Sequence, residues 1–237
     1  MKSTFKNIHN ELSGNYILFV ITIISSLLLI VNFQLDAILL KSDMIRNIWG
    51  SYDGALHSFY LSVTWVINCI SFYAIIPLVL ALTVFRKKVA TVGLGFGELK
   101  QFRTIILVII GVMIPILYIA AGTPAFKNTY PMMRVPILKY IIIWEILYLI
   151  QFFAVEFLFR GLLLQPFCEK FGIAGIFFHI TPYCLIHFDK PMPEAIGSIF
   201  AGLFLGYIAY KSKSIWGGVI IHGSVALLMD IFTLVRM

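Results

Sequence analysis

Apolar residues run along this chain in long blocks separated by short polar stretches, from Tyr16 almost to the C-terminus. An α-helix needs ~20 mostly apolar residues to cross the hydrocarbon core of a bilayer. Seven blocks are predicted as spans on that basis: Tyr16–Gln34, His57–Val84, Thr104–Gly122, Ile137–Leu164, Ile173–His187, Ala195–Tyr210 and Ile215–Val235. The fifth and sixth are short, which suits tilted helices or a buried pair. The expected fold is all-α: a polytopic integral membrane helical bundle of about seven transmembrane helices, forming one structural domain overall. The stretch "GTPAFKNTYPMMRVP" divides it into two halves of unequal character. Residues 1–122 hold the N-terminal membrane helices, with a basic loop at 86–103, and residues 137–235 hold the rest. The opening "NIHNELSGNY" reads as an interfacial segment. No A-x-A site follows the first span, so it reads as a retained helix and not a cleaved leader.

Composition agrees with the pattern. The chain is 60% hydrophobic and 12% charged, with a mean hydropathy of +0.96, against about 25% charged residues in soluble domains. The net charge of +7 raises a nucleic-acid reading, but its distribution argues against one. Basic residues concentrate in "FRKKVATVGLGFGELKQFR" between the second and third spans, the mark of a cytoplasmic loop. With the N-terminus cytoplasmic, ten Lys/Arg fall on the inner side and seven on the outer. "GLGFG" lacks the spacing and the strand–turn–helix setting of a phosphate loop. Cys69, Cys168 and Cys184 lie in or beside apolar spans and read as small buried hydrophobes.

The polar residues at membrane depth change the picture most. An ionisable side chain there costs at least ~2.5–3.5 kcal/mol on insertion scales, so each one marks a candidate site. The second half holds Glu145, Glu156, Arg160, His179, His187, His222 and Asp230, with Glu194 at a span's start. Glu156 and Arg160 share a helix face at i,i+4 and can neutralise one another. Glu145 lies three turns before Glu156 and points the same way. His179 and Asp230 read more simply as lone polar residues at packed interfaces. Glu156 precedes Gly172 by sixteen residues and His187 follows it by fifteen. At 1.5 Å per residue, an antiparallel pair turning at Gly172 brings the two to equal depth. His222 enters the last span eleven residues after Lys211. One carboxylate and two histidines can therefore converge, and a carboxylate that activates water beside imidazoles that face an oxyanion is a hydrolytic constellation.

The stretches "VEFLFRG", "YCLIH" and "SIWGGVIIHGSVA" resemble the signatures of the CPBP family (CAAX protease and bacteriocin-processing, or Abi) of glutamic intramembrane proteases. That family's pattern is E-E-x-x-x-R, then F-x-x-x-H, then H-x-x-x-N. The resemblance spans roughly Ile137 to Val235 and makes 137–235 the CPBP-like catalytic core. It implies that Glu156 activates water, that Arg160 orients the carboxylate, and that His187 and His222 bind the scissile carbonyl. Three positions depart from the pattern: Val155 replaces the first Glu, Tyr183 replaces Phe, and Ala226 replaces Asn. Glu194 and Asp230 are the candidates to supply the missing second acid, with Tyr183 as a further supporting residue. The resemblance fits a divergent bacterial member with a single Glu.

The expected function is an intramembrane endopeptidase that hydrolyses a membrane-associated polypeptide. The alternatives are a degenerate member that binds such segments without cutting them, and a small-molecule transporter. Glu156, His187 and His222 have the elements of a His₂Glu zinc site, but no H-E-x-x-H occurs and the family resembled is metal-independent, so no metal and no cofactor is expected. No G-x-S-G or G-x-G-D motif supports a serine or aspartyl intramembrane protease. The expected partners are the lipid bilayer and a polypeptide substrate, with no nucleic acid. The expected setting is the bacterial plasma membrane, with a polar cavity opening toward the cytoplasmic side or the midplane.

Overall fold

A computed structural model describes residues 2–41, 54–86, 89–134 and 137–237. Helix α1 is 40 residues long, Lys2–Lys41, or ~60 Å at 1.5 Å per residue. It takes in "NIHNELSGNY" without a break, and its membrane-length apolar part begins at Asn15. Helix α2 (Gly54–Ile70) passes through a π-helical segment at Ser71–Ile75 into α3 (Ile76–Thr83). Two 3₁₀ turns follow, Val89–Val92 and Leu99–Phe102, and then α4 (Arg103–Ala120) and the short α5 (Pro124–Thr129). Helix α6 (Leu138–Glu156) leads through a second π segment, Phe157–Leu163, into α7 (Leu164–Phe171). After Gly172–Gly175 come α8 (Ile176–Leu185), α9 (Met192–Ser212) and α10 (Trp216–Arg236).

The described residues contain no strand, and six helical runs are long and apolar enough to cross a membrane. The chain is an integral membrane protein. The fourth and fifth expected spans lie within one run, the 48 residues Leu138–Leu185, which folds back on itself. Gly172, at φ +59°, makes the reversal because only glycine adopts that conformation freely. Phe167 stacks on Phe178 at 4.7 Å, so α7 and α8 form an antiparallel hairpin. Helix α8 has ten residues, or ~15 Å, about half the hydrocarbon thickness. It therefore ends at mid-depth and leaves His187 on the turn that follows.

The connections sort to two ends of the bundle, as the alternation of spans requires. At one end Asn15 bonds Lys170, Glu98 N–H donates to Ser212 O (2.8 Å), and Ile215 N–H to Gly93 O (2.9 Å). At the other end Arg236 donates to Tyr118 O (2.6 Å) and Tyr130 to Glu194. Large apolar side chains such as Leu107, Ile119, Phe177 and Phe204 point outward, as lipid contact demands. The largest core cluster joins Ile21 and Leu28 of α1, Cys69, Tyr73 and Ala74 of the α2–α3 run, and Val155, Leu158 and Leu162 beside the second π segment.

The basic-loop end depends on Gly97. It sits at φ +46°, and a Cβ there would lie 2.0 Å from Ser212 O. Gly97→Ala therefore combines left-handed strain with overpacking and is expected to cost about 1–3 kcal/mol. Thermal unfolding of the detergent-solubilised chain checks this, and an unchanged melting temperature would contradict it.

Candidate active site

Glu156 is the last α-helical residue of α6, and Arg160 lies within the π segment that follows. Arg160 Nη1 contacts Glu156 Oε1 at 3.2 Å, and neither side chain is exposed. Gln165 donates to Arg160 O at 3.2 Å, five residues on, and fixes the widened turn from inside. The guanidinium carbon sits 4.0 Å from the centre of the Tyr183 ring. None of the three Arg160 nitrogens makes a well-directed hydrogen bond. The site thus holds a fully buried cation with unused donors, seated on an aromatic face.

Both histidines reach this pair. His222 Nδ1 lies 3.0 Å from Glu156 Oε1. The His187 and His222 ring centres are 6.2 Å apart and nearly parallel. His187 Nδ1 lies 2.9 Å from Tyr183 O. A carbonyl only accepts, so Nδ1 of His187 carries the proton, and the same holds for His222 against the Glu156 carboxylate. This leaves Nε2 of each ring as the atom that can face water or substrate. Arg160, by contrast, can only donate.

The expected open cavity is closed in this structure. Glu156 and Arg160 are fully buried, and His187 is 8% exposed. The His222 side chain, 14% exposed, is the outermost of the four. Aromatic rings wrap the imidazoles: Phe152 sits 4.3 Å from His222, and Tyr183 4.7 Å from His187. A groove of about 550 Å³ exists elsewhere, between α1 and the α7–α8 hairpin, lined by residues such as Ser25, Leu29, Phe167 and Pro182.

Glu194 and Asp230 do not join Glu156. Tyr130 of the α4–α6 connection donates to Glu194, with its hydroxyl 2.7 and 2.9 Å from the two carboxylate oxygens. Asp230 accepts from Met132 N–H (3.3 Å), and Glu145 lies beside it. Helices α6 and α10 therefore meet at two polar levels, Glu156 with His222 and Glu145 near Asp230. Between these levels lies a layer containing Tyr148, Phe152 and Ala226. Ala226, where the resembled pattern has Asn, packs in this layer and not in the polar site. Val155 faces away, into the core with Cys69 and Tyr73. His179 is fully buried at the α8–α9 contact, with Nδ1 2.6 Å from Ile176 O and its ring against Gly206.

Three features escape the sequence reading. Gly218 is one: a Cβ there would lie 2.1 Å from Glu156 Oε2. Its signal was a glycine four residues before His222, on the same helix face. The second is Tyr130, in a loop with no pattern to mark it. Burial, then Tyr148 and Glu194 beside it, push its phenol above the ordinary range, so it stays a donor. The third is Asp36, placed outside the first span by the sequence but inside it in the structure. Asn68 (2.7 Å) and Asn32 (3.3 Å) donate to its carboxylate, and Asn32 also bonds the Tyr73 hydroxyl. These amides allow the helix to run past the acid.

Residues 137–228 match the model of the family described as type II CAAX prenyl endopeptidase Rce1-like. They form an Rce1-like domain. Glu156, Arg160, His187 and His222 all fall inside it, as do Val155 and Ala226. Asp230 and Tyr130 lie just outside its bounds. No curated protein and no solved structure matches the chain.

Gly218 gives this contact a sharp test. An added methyl at Gly218 would push the Glu156 carboxylate out of its place beside His222. Overpacking of this kind costs about 1–3 kcal/mol. The melting temperature of the detergent-solubilised Gly218→Ala chain is expected to fall, and an unchanged value would show that the site has room to spare.

Proposed function

We propose that the chain is an intramembrane endopeptidase that hydrolyses a peptide bond of a membrane-associated polypeptide. The observation that carries this reading is the 3.0 Å contact between Glu156 and His222, buried beside Arg160 at membrane depth. The Rce1-like domain supports the reaction class. In this reading Glu156 and His222 act as one unit. Glu156 holds the His222 Nδ1 proton, and His222 Nε2 takes the proton of the attacking water. Arg160 supplies the donors that meet the developing oxyanion, in place of the Asn that Ala226 does not provide. His187 Nε2, 15 residues past the Gly172 turn, positions the water from the facing side. The basic-loop end of the bundle is placed in the cytoplasm, by the excess of Lys/Arg there, in a bacterial plasma membrane.

A second reading rests on Val155, Ala226 and the closed site: a chain that binds such segments and does not cut them. One comparison separates the two. Glu156→Gln keeps shape while removing the charge that orients His222. Cleavage is expected to fall at least ~10²-fold, the scale of lost general base catalysis. The readout is membrane polypeptides cut in cells carrying the wild-type chain and intact in cells carrying Glu156→Gln. Identical cleavage products in both would sink the proteolytic reading.

A conservative change tests Arg160 separately. Arg160→Lys keeps the charge but loses the planar fork of donors. Its kcat is expected to fall at least tenfold with little change in KM, because the donors act on the transition state. A rise in KM alone would reassign Arg160 to substrate binding.

A further inference from the structure

The groove of about 550 Å³ between α1 and the α7–α8 hairpin takes no part in the contacts around Glu156. Its wall on α1 runs from Asn15 to Leu29, or ~21 Å at 1.5 Å per residue. Thr22, Ser25 and Ser26 present hydroxyls along that wall, and Thr181 presents one from α8. No charged side chain lines the groove among the described residues. A serine or threonine inside a membrane helix can return its hydroxyl to the carbonyl four residues back. Thr22 does so to Leu18 O (2.8 Å) and Ser71 to Ile67 O (2.8 Å). Ser25 does not: it is 2% exposed and its hydroxyl has no hydrogen-bond partner. On the facing wall, Pro182 has no N–H to offer the carbonyl of Phe178, four residues before it. One groove at membrane depth therefore lines up a donor without its acceptor and a carbonyl without its helical amide.

The chemistry of the lining selects the occupant. A lipid acyl chain has no polar atom for Ser25, which lies ~15 Å along α1 from Asn15. A transmembrane helix closes its own backbone hydrogen bonds and has no use for the hydroxyls. An extended polypeptide needs them, because each of its residues brings one N–H and one C=O into hydrocarbon. About six residues at ~3.3 Å each match the length of the wall. The inner end of the groove also meets the candidate site. Leu163, three residues past Arg160, lines it, and so does Leu185, the last residue of α8, with His187 two residues on. Because α8 stops at mid-depth, a chain lying in the groove can round the end of that helix toward His187 without crossing the hairpin.

We propose that this groove holds an extended, uncharged segment of the polypeptide substrate, with backbone groups bonded to the Ser25 hydroxyl and the Phe178 carbonyl. This rests on the polypeptide-binding reading above. A segment that unwinds inside the membrane gives up its own hydrogen bonds, and the groove supplies partners in their place. Thr22, Ser25 and Ser26 all belong to α1, outside the Rce1-like domain. Helix α1 thus selects the segment, while the domain acts on a bond beyond it.

Binding, not turnover, reads this out. The full chain carrying Glu156→Gln is placed in lipid nanodiscs. Two fluorescent valine-rich octapeptides are titrated against it and against empty nanodiscs. One has an ordinary backbone, and in the other the central amide nitrogens are methylated, which removes their donors and leaves the side chains alone. After partition into lipid is subtracted, the ordinary peptide is expected to bind ~10-fold more tightly. Adding Ser25→Ala should weaken it by ~3-fold, and this variant loses no hydrogen bond of its own, so it assembles normally. Ser26→Trp and Thr181→Trp fill the groove from opposite walls, and each should abolish binding. Equal affinity for the two peptides, affinity unchanged by Ser25→Ala, or binding that survives both tryptophans overturns the proposal. So does binding no better than to empty nanodiscs, which leaves the groove to lipid. A chain that fails the cleavage comparison can still show this pattern, and a chain that cleaves can lack it, so the two readings fail separately.

Discussion

The contact between Glu156 Oε1 and the Arg160 guanidinium, 3.2 Å long with neither side chain exposed, sets what the surrounding helices must do. An unpaired charge at this depth is intolerable, and a paired one still needs its remaining donors and acceptors met. The π segment swings Arg160 toward Tyr183, His222 fills the second position on the carboxylate, and Gly218 opens the space for it. The α7–α8 hairpin exists at half-length so that His187 arrives at this level and goes no further. Much of the second half is thus built around one ion pair.

That pair also explains where the resembled pattern can be broken. Val155 points into the core shared with Cys69 and Tyr73, so a second carboxylate there would need partners from α1 and the α2–α3 run. Ala226 stands in an aromatic layer beside Phe152. An amide there would need room that Phe152 and Tyr148 occupy. The polar site has contracted onto Glu156, Arg160 and the two histidines.

The spans were legible in the sequence because block length and membrane thickness share one scale, and the depth match of Glu156 and His187 followed from helical rise alone. His222's contact and Arg160's burial followed from the cost of charge in hydrocarbon. What was hidden depends on contacts between distant segments. Glu194 looked like a second acid for Glu156, but Tyr130, 64 residues earlier, holds it. Asp36 looked like the end of a span because its donor Asn68, and Tyr73 that bonds its other donor Asn32, lie on a different helical run. No residue type announces the widened turn at Phe157–Leu163, since its hydrogen-bond spacing is a property of the packed helix. The closed cavity was hidden for the same reason: it depends on where Phe152 and Tyr183 place their rings.

The two π segments, Ser71–Ile75 and Phe157–Leu163, pack against one another. Each holds extra chain that a regular α-helix would not accommodate. Removing a single residue between Glu156 and Gln165 would return that stretch to a regular α-helix. The helix beyond it would keep its register, and Phe167 would stay against Phe178. What would change is the angle between Glu156 and the residues inside the wide turn, Arg160 among them. The extra residue therefore serves the ion pair and not the hairpin, and a chain without it would keep its fold while losing the seat of its buried cation.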